Sequence, residues 1–189
     1  MRKLVLVVHL SLDGFVAGPN GELNDFPAGA ENLGFVCGLT ENADAALFGR
    51  VSYELLNQYW PTAADKPGAS KEEIAYSCWY NKATKVIISK TMANAKIDNT
   101  IVISNDVING VAALKQQAGK EMLIFGSPSV AQLLMRANLV DSYWIFINPV
   151  TFGKGIPLFT GAVDKKKFEL LTMVRFPNGE LALNYRDKE

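Results

Sequence analysis

Apolar residues gather in short runs along this chain, and the polar breaks between them define an order of elements. Leu4 to Leu10 is almost unbroken apolar sequence and reads as a fully buried first strand. Ala45 to Phe48, Lys85 to Ser89, Thr100 to Ile103, Glu121 to Phe125 and Tyr143 to Ile147 repeat the short-run pattern. The stretches between them have helical spacing or helical punctuation. They predict helices over Ala30 to Leu39, Val51 to Tyr59, Lys71 to Tyr80, Val107 to Gln117 and Val130 to Ala137. Gly29 and Gly34 weaken the first of these, and Pro61 lies just beyond the end of the second. Two more strands, Phe168 to Phe176 and Leu181 to Tyr185, flank Pro177-Asn178-Gly179, a strong hairpin signal.

Strands alternating with helices predict an α/β fold. The expected architecture is a doubly wound, mostly parallel sheet with helices on both faces and an antiparallel C-terminal hairpin. No repeat or linker divides the sequence, so residues 1–189 are expected to form a single domain. Asn57 to Ser70 is the loosest segment and reads as a surface loop.

Composition narrows the function classes. The chain has 189 residues, 49% of them hydrophobic, and 19 basic against 19 acidic groups. That balance gives no field for nucleic acid or an anionic membrane, so neither is expected as a partner. Asp164-Lys165-Lys166-Lys167 is the densest basic run and reads as a solvated turn. Met1-Arg2-Lys3 and the apolar run after it faintly imitate a secretion signal. His9, Ser11 and Asp13 break that run early, and nothing approaches the ~18 apolar residues of a spanning helix. Cys37 and Cys78 are too few for a disulfide framework, and a cytoplasmic protein is expected. One histidine and two distant cysteines make no zinc site, and no metal is expected.

The candidate chemistry lies where strands give way to helices. Gly126-Ser127-Pro128-Ser129-Val130 follows a strand. Ser127 is placed to cap the next helix, Pro128 suits its first position, and Gly126 lets another molecule approach the backbone. Uncommitted N–H groups at a helix start make an anion site. Gly49-Arg50-Val51-Ser52 repeats the arrangement, with a guanidinium suited to phosphate and a serine that can cap or donate. Alone it is equally ordinary punctuation. Ser89-Lys90-Thr91 leaves a further strand, with a cation and hydroxyls that could meet a phosphate and a ribose, or form a polar loop. Together the three sketch a dinucleotide with an additional phosphate, at the strand ends where doubly wound sheets bind ligands. The common Gly-x-Gly-x-x-Gly fingerprint is absent, and so is the second glycine of a serine-nucleophile turn. After the first strand, Asp13-Gly14 supports a tight turn, and Val16 and Ala17 offer a small apolar surface that fits a flat ring or simply closes the turn. His9, the only histidine, reads either as a packed strand residue or as a titrating catalyst.

These stretches, with Leu139-Val-Asp-Ser-Tyr143 and Pro149-Val-Thr-Phe-Gly-Lys-Gly-Ile-Pro-Leu-Phe159, resemble the dihydrofolate reductase superfamily over nearly the whole length. The resemblance is closest to the reductase domain of bacterial riboflavin biosynthesis and its stand-alone relatives. It implies NADPH as cofactor, with the pyrophosphate at Gly126 to Val130. Gly49, Arg50, Val51, Ser52, Ser89, Lys90 and Thr91 would take the adenosine side and 2′-phosphate, and Val16 and Ala17 would border the nicotinamide. It implies His9, Asp13 and Glu31 as catalytic candidates. Asp25, Phe26, Trp60, Phe152 and Gly153 would shape the pocket for a small-molecule substrate, and a homodimer is implied. Two departures redirect the substrate. Dihydrofolate reductases have consecutive glycines at Gly126-Ser127, and Asn32-Leu33-Gly34 lacks the helix acid that polarises a pterin, leaving only Glu31 nearby. The expected function is an NADPH-dependent reductase acting on a planar heterocycle or carbonyl, similar to the 5-amino-6-(5-phosphoribosylamino)uracil reductases. A non-catalytic nucleotide- or flavin-binding protein on the same fold is the alternative.

Overall fold

A computed structural model describes residues 1–27, 29–93, 95–160 and 165–188. The strands are β1 (Leu4–Leu10), β2 (Phe15–Ala17), β3 (Ala43–Gly49), β4 (Thr84–Ile88), β5 (Thr100–Ile103), β6 (Glu121–Phe125), β7 (Ser142–Ile147), β8 (Ile156–Pro157), β9 (Phe168–Arg175) and β10 (Leu181–Asp187). The helices are α1 (Ala30–Thr40), α2 (Arg50–Asn57), α3 (Lys71–Lys82), α4 (Val107–Gln116) and α5 (Pro128–Arg136). Eight strands form a mostly parallel sheet in the order β5-β4-β3-β6-β1-β7-β10-β9, and β2 pairs with β8 separately. The expected α/β class, parallel sheet and antiparallel terminal hairpin are all present. Asp164 of the basic run lies outside the described residues.

The chain divides into two compact units, Met1–Arg2 with Gly29–Leu123, and Lys3–Ala28 with Ile124–Glu189. In the first, β3 and β4 run parallel with Gly49 opposite Ile88, and β4 runs parallel to β5. Ala45, Ala46, Leu47 and Phe48 of β3 are buried without interruption, as a strand covered on both faces requires. Phe48 packs near Tyr53 of α2 and Tyr80 of α3, with ring centroids 6.2 and 6.3 Å away. Burial pushes the Tyr80 phenol well above its usual range. Helix α3 begins with a complete capping box. The Glu73 amide donates to Ser70 Oγ at 3.1 Å, and the Ser70 amide donates to the Glu73 carboxylate at 2.8 Å. The segment expected as a loop before it contains a 3-10 helix, Trp60–Asp65, started by Pro61 and tied down where Ser77 Oγ donates to the Trp60 carbonyl.

In the second unit β1 pairs in parallel with β7, from Val5 opposite Ser142 to Leu10 opposite Ile147. Every β1 residue except His9 is buried. Each fully buried aliphatic there contributes about 1.5–3 kcal/mol. β10 adds antiparallel to β7 and β9 antiparallel to β10. The hairpin turn sets Gly179 at φ +89°, a conformation natural to glycine, and the Phe176 amide closes it onto the Glu180 carbonyl at 2.9 Å. Strand β9 is the last of the sheet. Leu170, Leu171 and Met173 on it are 48%, 45% and 60% exposed, so neither of its faces is covered by the described chain.

The capping box yields a direct expectation. Ser70→Ala should lower stability by about 1 kcal/mol, read by urea unfolding with an unchanged m-value.

Candidate functional site

In the second unit, β1 delivers His9 to a small aromatic wall. Its imidazole lies parallel to Phe146 of β7, with centroids 4.9 Å apart and planes 19° apart. Phe26 stands 5.9 Å from the same ring, and Phe152 packs 5.0 Å from Phe26. Two of the aromatic candidates, Phe26 and Phe152, thus sit together beside an imidazole about one-third exposed, and Phe146, which the sequence reading did not single out, lies behind it. The wall follows from register. His9 is opposite Phe146, while Leu12 and Val150, just past the two strand ends, share a backbone hydrogen bond of 2.8 Å.

Glu180 completes this group, and sequence reasoning missed it. Its side chain is fully buried, with Oε1 3.0 Å from His9 Nδ1. The hairpin turn sets its place, because the Glu180 amide donates to Asn178 Oδ1 at 3.1 Å. The available signal was an acid immediately after Asn178-Gly179 at the head of an apolar strand. Asn148 Nδ2 is 3.4 Å from the same imidazole nitrogen, and donates to the carbonyls of Leu10 at 3.2 Å and Phe146 at 3.0 Å.

Asp13 has a connecting role. Its carboxylate accepts from Ser11 Oγ at 2.6 Å, the Gly153 amide at 2.7 Å and the Phe152 amide at 3.1 Å. The Ser11 hydroxyl, helped by these amides and opposed by slight desolvation, holds the carboxyl below its usual range. Asp13 therefore clamps the turn after β1 to the segment that presents Phe152. Val16 and Ala17 lie in β2, against β8, and are 7% and 5% exposed, which leaves little of either side chain for a ring. Asp25 is exposed, one residue before Phe26.

The turn at Gly126 opens α5. Gly126 and Ser127 both take left-handed backbone, at φ +55° and +49°. The Gly126 amide is tied to the Val7 carbonyl of β1 at 3.1 Å. Ser127 stands at the capping position, as expected, but makes no capping bond, because its hydroxyl donates to the Phe125 carbonyl at 3.2 Å. Pro128 begins the helix, and the first backbone bond of α5 is from Ala131 to Ser127. The amides of Ser129 and Val130 thus precede the helical ladder with no side-chain cap. A Cβ built on Gly126 meets nothing within 4 Å, so space lies open before this turn. An uncapped, positively polarised helix start facing open space fits a pyrophosphate.

In the first unit, the β3–β4 register puts Gly49 opposite Ile88, so Arg50 and Ser89 leave neighbouring strand ends. Gly49, and not Ser52, occupies the capping position of α2, and Ser52 lies within the helix. Arg50 pairs with Glu54 at 2.7 Å, both roughly half exposed. Ser89 Oγ is 3.2 Å from Thr91 Oγ1 and accepts from the Met92 amide at 3.3 Å, while Lys90 is exposed. Trp60 packs on Tyr76 at 4.3 Å and against Tyr59 at 5.0 Å, as part of an internal aromatic group of this unit. Glu31 is exposed in the first turn of α1. No group of three His, Cys, Asp or Glu side chains able to hold a metal occurs among the described residues. No helix among them is long and apolar enough to cross a membrane.

Residues 2–181 match the family model of the RibD C-terminal domain. The chain belongs to this family. It is 31% identical over 185 residues to the uncharacterized protein YyaP of Bacillus subtilis (strain 168), covering 97% of this chain and 94% of that protein. Among solved structures it resembles a diaminohydroxyphosphoribosylaminopyrimidine deaminase/5-amino-6-(5-phosphoribosylamino)uracil reductase of Thermotoga maritima. The TM-score is 0.70 at 15% identity, over 99% of this chain and 57% of that one. It also resembles dihydrofolate reductase of Enterococcus faecalis in complex with NADP(H) and RAB-propyl, with a TM-score of 0.67 at 14% identity, over 99% and 97% of the two chains. The resemblance read from the motifs and the fold class expected from the element order are both borne out.

The β2–β8 pairing depends on one close approach. A Cβ on Gly155 would overlap the Ala17 carbonyl oxygen and stand 3.1 Å from Phe15 Cβ. Gly155→Ala should cost about 1–3 kcal/mol in chemical unfolding, since backbone has to move to admit the methyl group.

Proposed function

We propose that this protein is an NADPH-dependent reductase that transfers hydride to a small planar heterocyclic or carbonyl substrate. The observation that carries the reading is the start of α5, where left-handed Gly126-Ser127 faces open space before the uncapped amides of Ser129 and Val130. Membership of the RibD C-terminal family supports a reductase in general. The named activity of the Thermotoga neighbour and the NADP(H) bound to the Enterococcus neighbour point the same way. We read residues 1–189 as one domain of this family, on the strength of a match running from 2 to 181.

Bound NADPH would supply the hydride and its two electrons. The chain's own residues bind and orient. The amides of Ser129 and Val130 receive the pyrophosphate, and the turn at Gly126, Ser127 and Pro128 gives it room to approach. Gly49, Arg50, Val51 and Ser52, with Ser89, Lys90 and Thr91, take the adenosine side and the 2′-phosphate. Arg50 would exchange Glu54 for phosphate at little cost, because an exposed i,i+4 pair is worth only about 0.3–0.5 kcal/mol. Val16 and Ala17 bound the nicotinamide end chiefly through backbone. Phe26 and Phe152, tilted 44° to one another beside His9, offer apolar surface to a planar substrate ring, while buried Phe146 backs His9 from within. Asp13 holds Phe152 and Gly153 in position and donates no proton, since its oxygens already accept three hydrogen bonds. A substrate of the aminouracil class, planar and nitrogen-rich, suits that surface. The family's biosynthetic role favours the cytoplasm, and the uncovered apolar β9 favours a homodimer.

Titration with NADPH and NADH, followed by nicotinamide fluorescence, should give saturable binding that favours NADPH. Absence of saturation with either overturns the reductase reading. Arg50→Ala should weaken NADPH by roughly tenfold and NADH little, as for loss of one charge-assisted contact. Equal weakening would remove Arg50 from the 2′-phosphate site. Light scattering should return twice the 20.7 kDa chain mass, and Met173→Glu should reduce it to one. A monomeric wild-type protein overturns the dimer.

A further inference from the structure

We propose that Gln132 is the positioning residue that keeps the two ends of the cofactor site in register, by tying α5, close to its uncapped amides, to the strap that pairs with β2. The cofactor half of this statement rests on the reductase reading, and the tie itself does not. The strap is the segment from Phe152 to Leu158, which contains β8. Three residues of β2 and two of β8 pair as a sheet of their own, outside the eight-stranded sheet. So short a pair is marginal alone and takes its place from what it is fastened to.

The fastenings run along the strap. At one end Asp13 accepts from the Phe152 and Gly153 amides. In the middle, Gly155 lies so close to Ala17 that no side chain fits between them. At the other end the Leu158 amide donates to the Gly14 carbonyl at 3.3 Å, and the Leu158 side chain is fully buried. These three hold the strap to the turn after β1 and to β2. Gln132 holds it to α5, where its Nε2 donates to the Pro157 carbonyl at 3.1 Å and to the Leu158 carbonyl at 3.0 Å. An amide nitrogen has two hydrogens, and here two carbonyls stand ready to accept them. Turning the amide round would set its oxygen against both carbonyls, so the nitrogen is what faces them.

The helix is the fixed partner in this contact. Ala131, Leu134 and Met135 bury its inner face, and the Gly126 amide before it is bonded to the Val7 carbonyl of β1. Gln132 is half-buried and lies three residues beyond Ser129, on the same side of the helix. A dinucleotide bound as proposed meets this unit at two places, its pyrophosphate at the Ser129 and Val130 amides and its nicotinamide at the backbone of Val16 and Ala17. The spacing of those two places decides where the hydride-bearing carbon stands. Without Gln132 the strap, and β2 paired to it, can shift against α5. A misplacement of about 1 Å costs far more in group transfer than in binding. Phe152 begins the same strap, so the substrate side moves with it. Gln132 acts through the Pro157 and Leu158 backbone and takes no part in the chemical step.

Gln132→Leu keeps the side chain's approximate size and removes both donors. With no ligand present, hydrogen exchange of the Leu158 amide should quicken roughly tenfold in this variant, while that of the Gly126 amide stays the same. Unchanged exchange at Leu158 overturns the tie. Adenosine 2′,5′-bisphosphate carries the adenosine side of NADPH without the nicotinamide. Its dissociation constant should change less than about twofold in Gln132→Leu, while that of NADPH rises about tenfold, within what two neutral hydrogen bonds can supply. With a substrate that supports NADPH oxidation, kcat should fall on the order of 10²-fold with little change in substrate KM. Gln132→Lys returns donors at similar reach and should recover most of the NADPH affinity and of kcat. Equal weakening of the two nucleotides, or unchanged NADPH binding and kcat, overturns the positioning role. Should Gln132→Leu fail to fold, Gln132→Asn, one methylene short of both carbonyls, gives the same comparisons. Failure of the reductase reading is separately visible. The wild-type protein then binds neither nucleotide saturably and the cofactor half of the proposal falls, while exchange at Leu158 still reports the tie.

Discussion

The parallel pairing of β1 with β7 is the constraint on which the second unit's chemistry depends. Both strands are largely buried, so their register cannot slip without turning apolar side chains toward water. That register sets His9 beside Phe146 and brings the two strand ends out together. At that exit Asn148 closes the ladder, its amide donating to the Leu10 carbonyl at 2.8 Å and its side chain donating to that carbonyl and to the Phe146 carbonyl. Buried backbone oxygens at a strand end need such partners, and one asparagine serves two of them. Glu180 Oε1 stands 3.0 Å from His9 Nδ1 at the same exit.

Buried polar groups inside this unit gather near His9. Glu180, Asn148 and Ser11 are all nearly or fully buried; Ser11 Oγ and Asn148 Nδ2 are hydrogen-bonded, whereas Asn148 Oδ1 and Glu180 Oε1 have no hydrogen-bond partner among the described residues. A low local dielectric makes such contacts strong when complete and costly when broken. Asp13 extends the principle to the surface, where one carboxylate joins the turn after β1 to the segment carrying Phe152.

The helix starts follow a different logic. At α3 a serine and a glutamate cap the end completely, and the segment is structural. At α2 and α5 no side chain caps the helix, even though serines lie close by. Ser127 turns its hydroxyl back to the Phe125 carbonyl, and no side chain caps the amides that follow. Withholding a cap forgoes about 1 kcal/mol of stability. Helices α1 and α4 also start without a side-chain cap, so the open space before Gly126, and not the missing cap, distinguishes the start of α5.

Much of the architecture was legible in the sequence because its causes are local. Runs such as Leu4 to Leu10 and Glu121 to Phe125 have the length and composition of buried strands, and their observed ends match. Asn178-Gly179 marked the hairpin, and the strand-glycine-helix turns at Gly49 and Gly126 were visible as punctuation. The short β2–β8 pair and the 3-10 helix at Trp60 escaped notice, since neither is long enough to show a period. Roles were harder to read than elements. Asp13 and His9 both looked like polar residues near a turn, yet one is a clamp and the other faces a buried acid. Glu180 carried no local sign of its partner, which lies at the other end of the chain. Sequence alone determined which segments extend, coil and turn, because those preferences belong to neighbouring residues. Tertiary structure alone decided which acid meets the histidine, because that contact is set by strand register and burial, which bring distant residues within hydrogen-bonding reach.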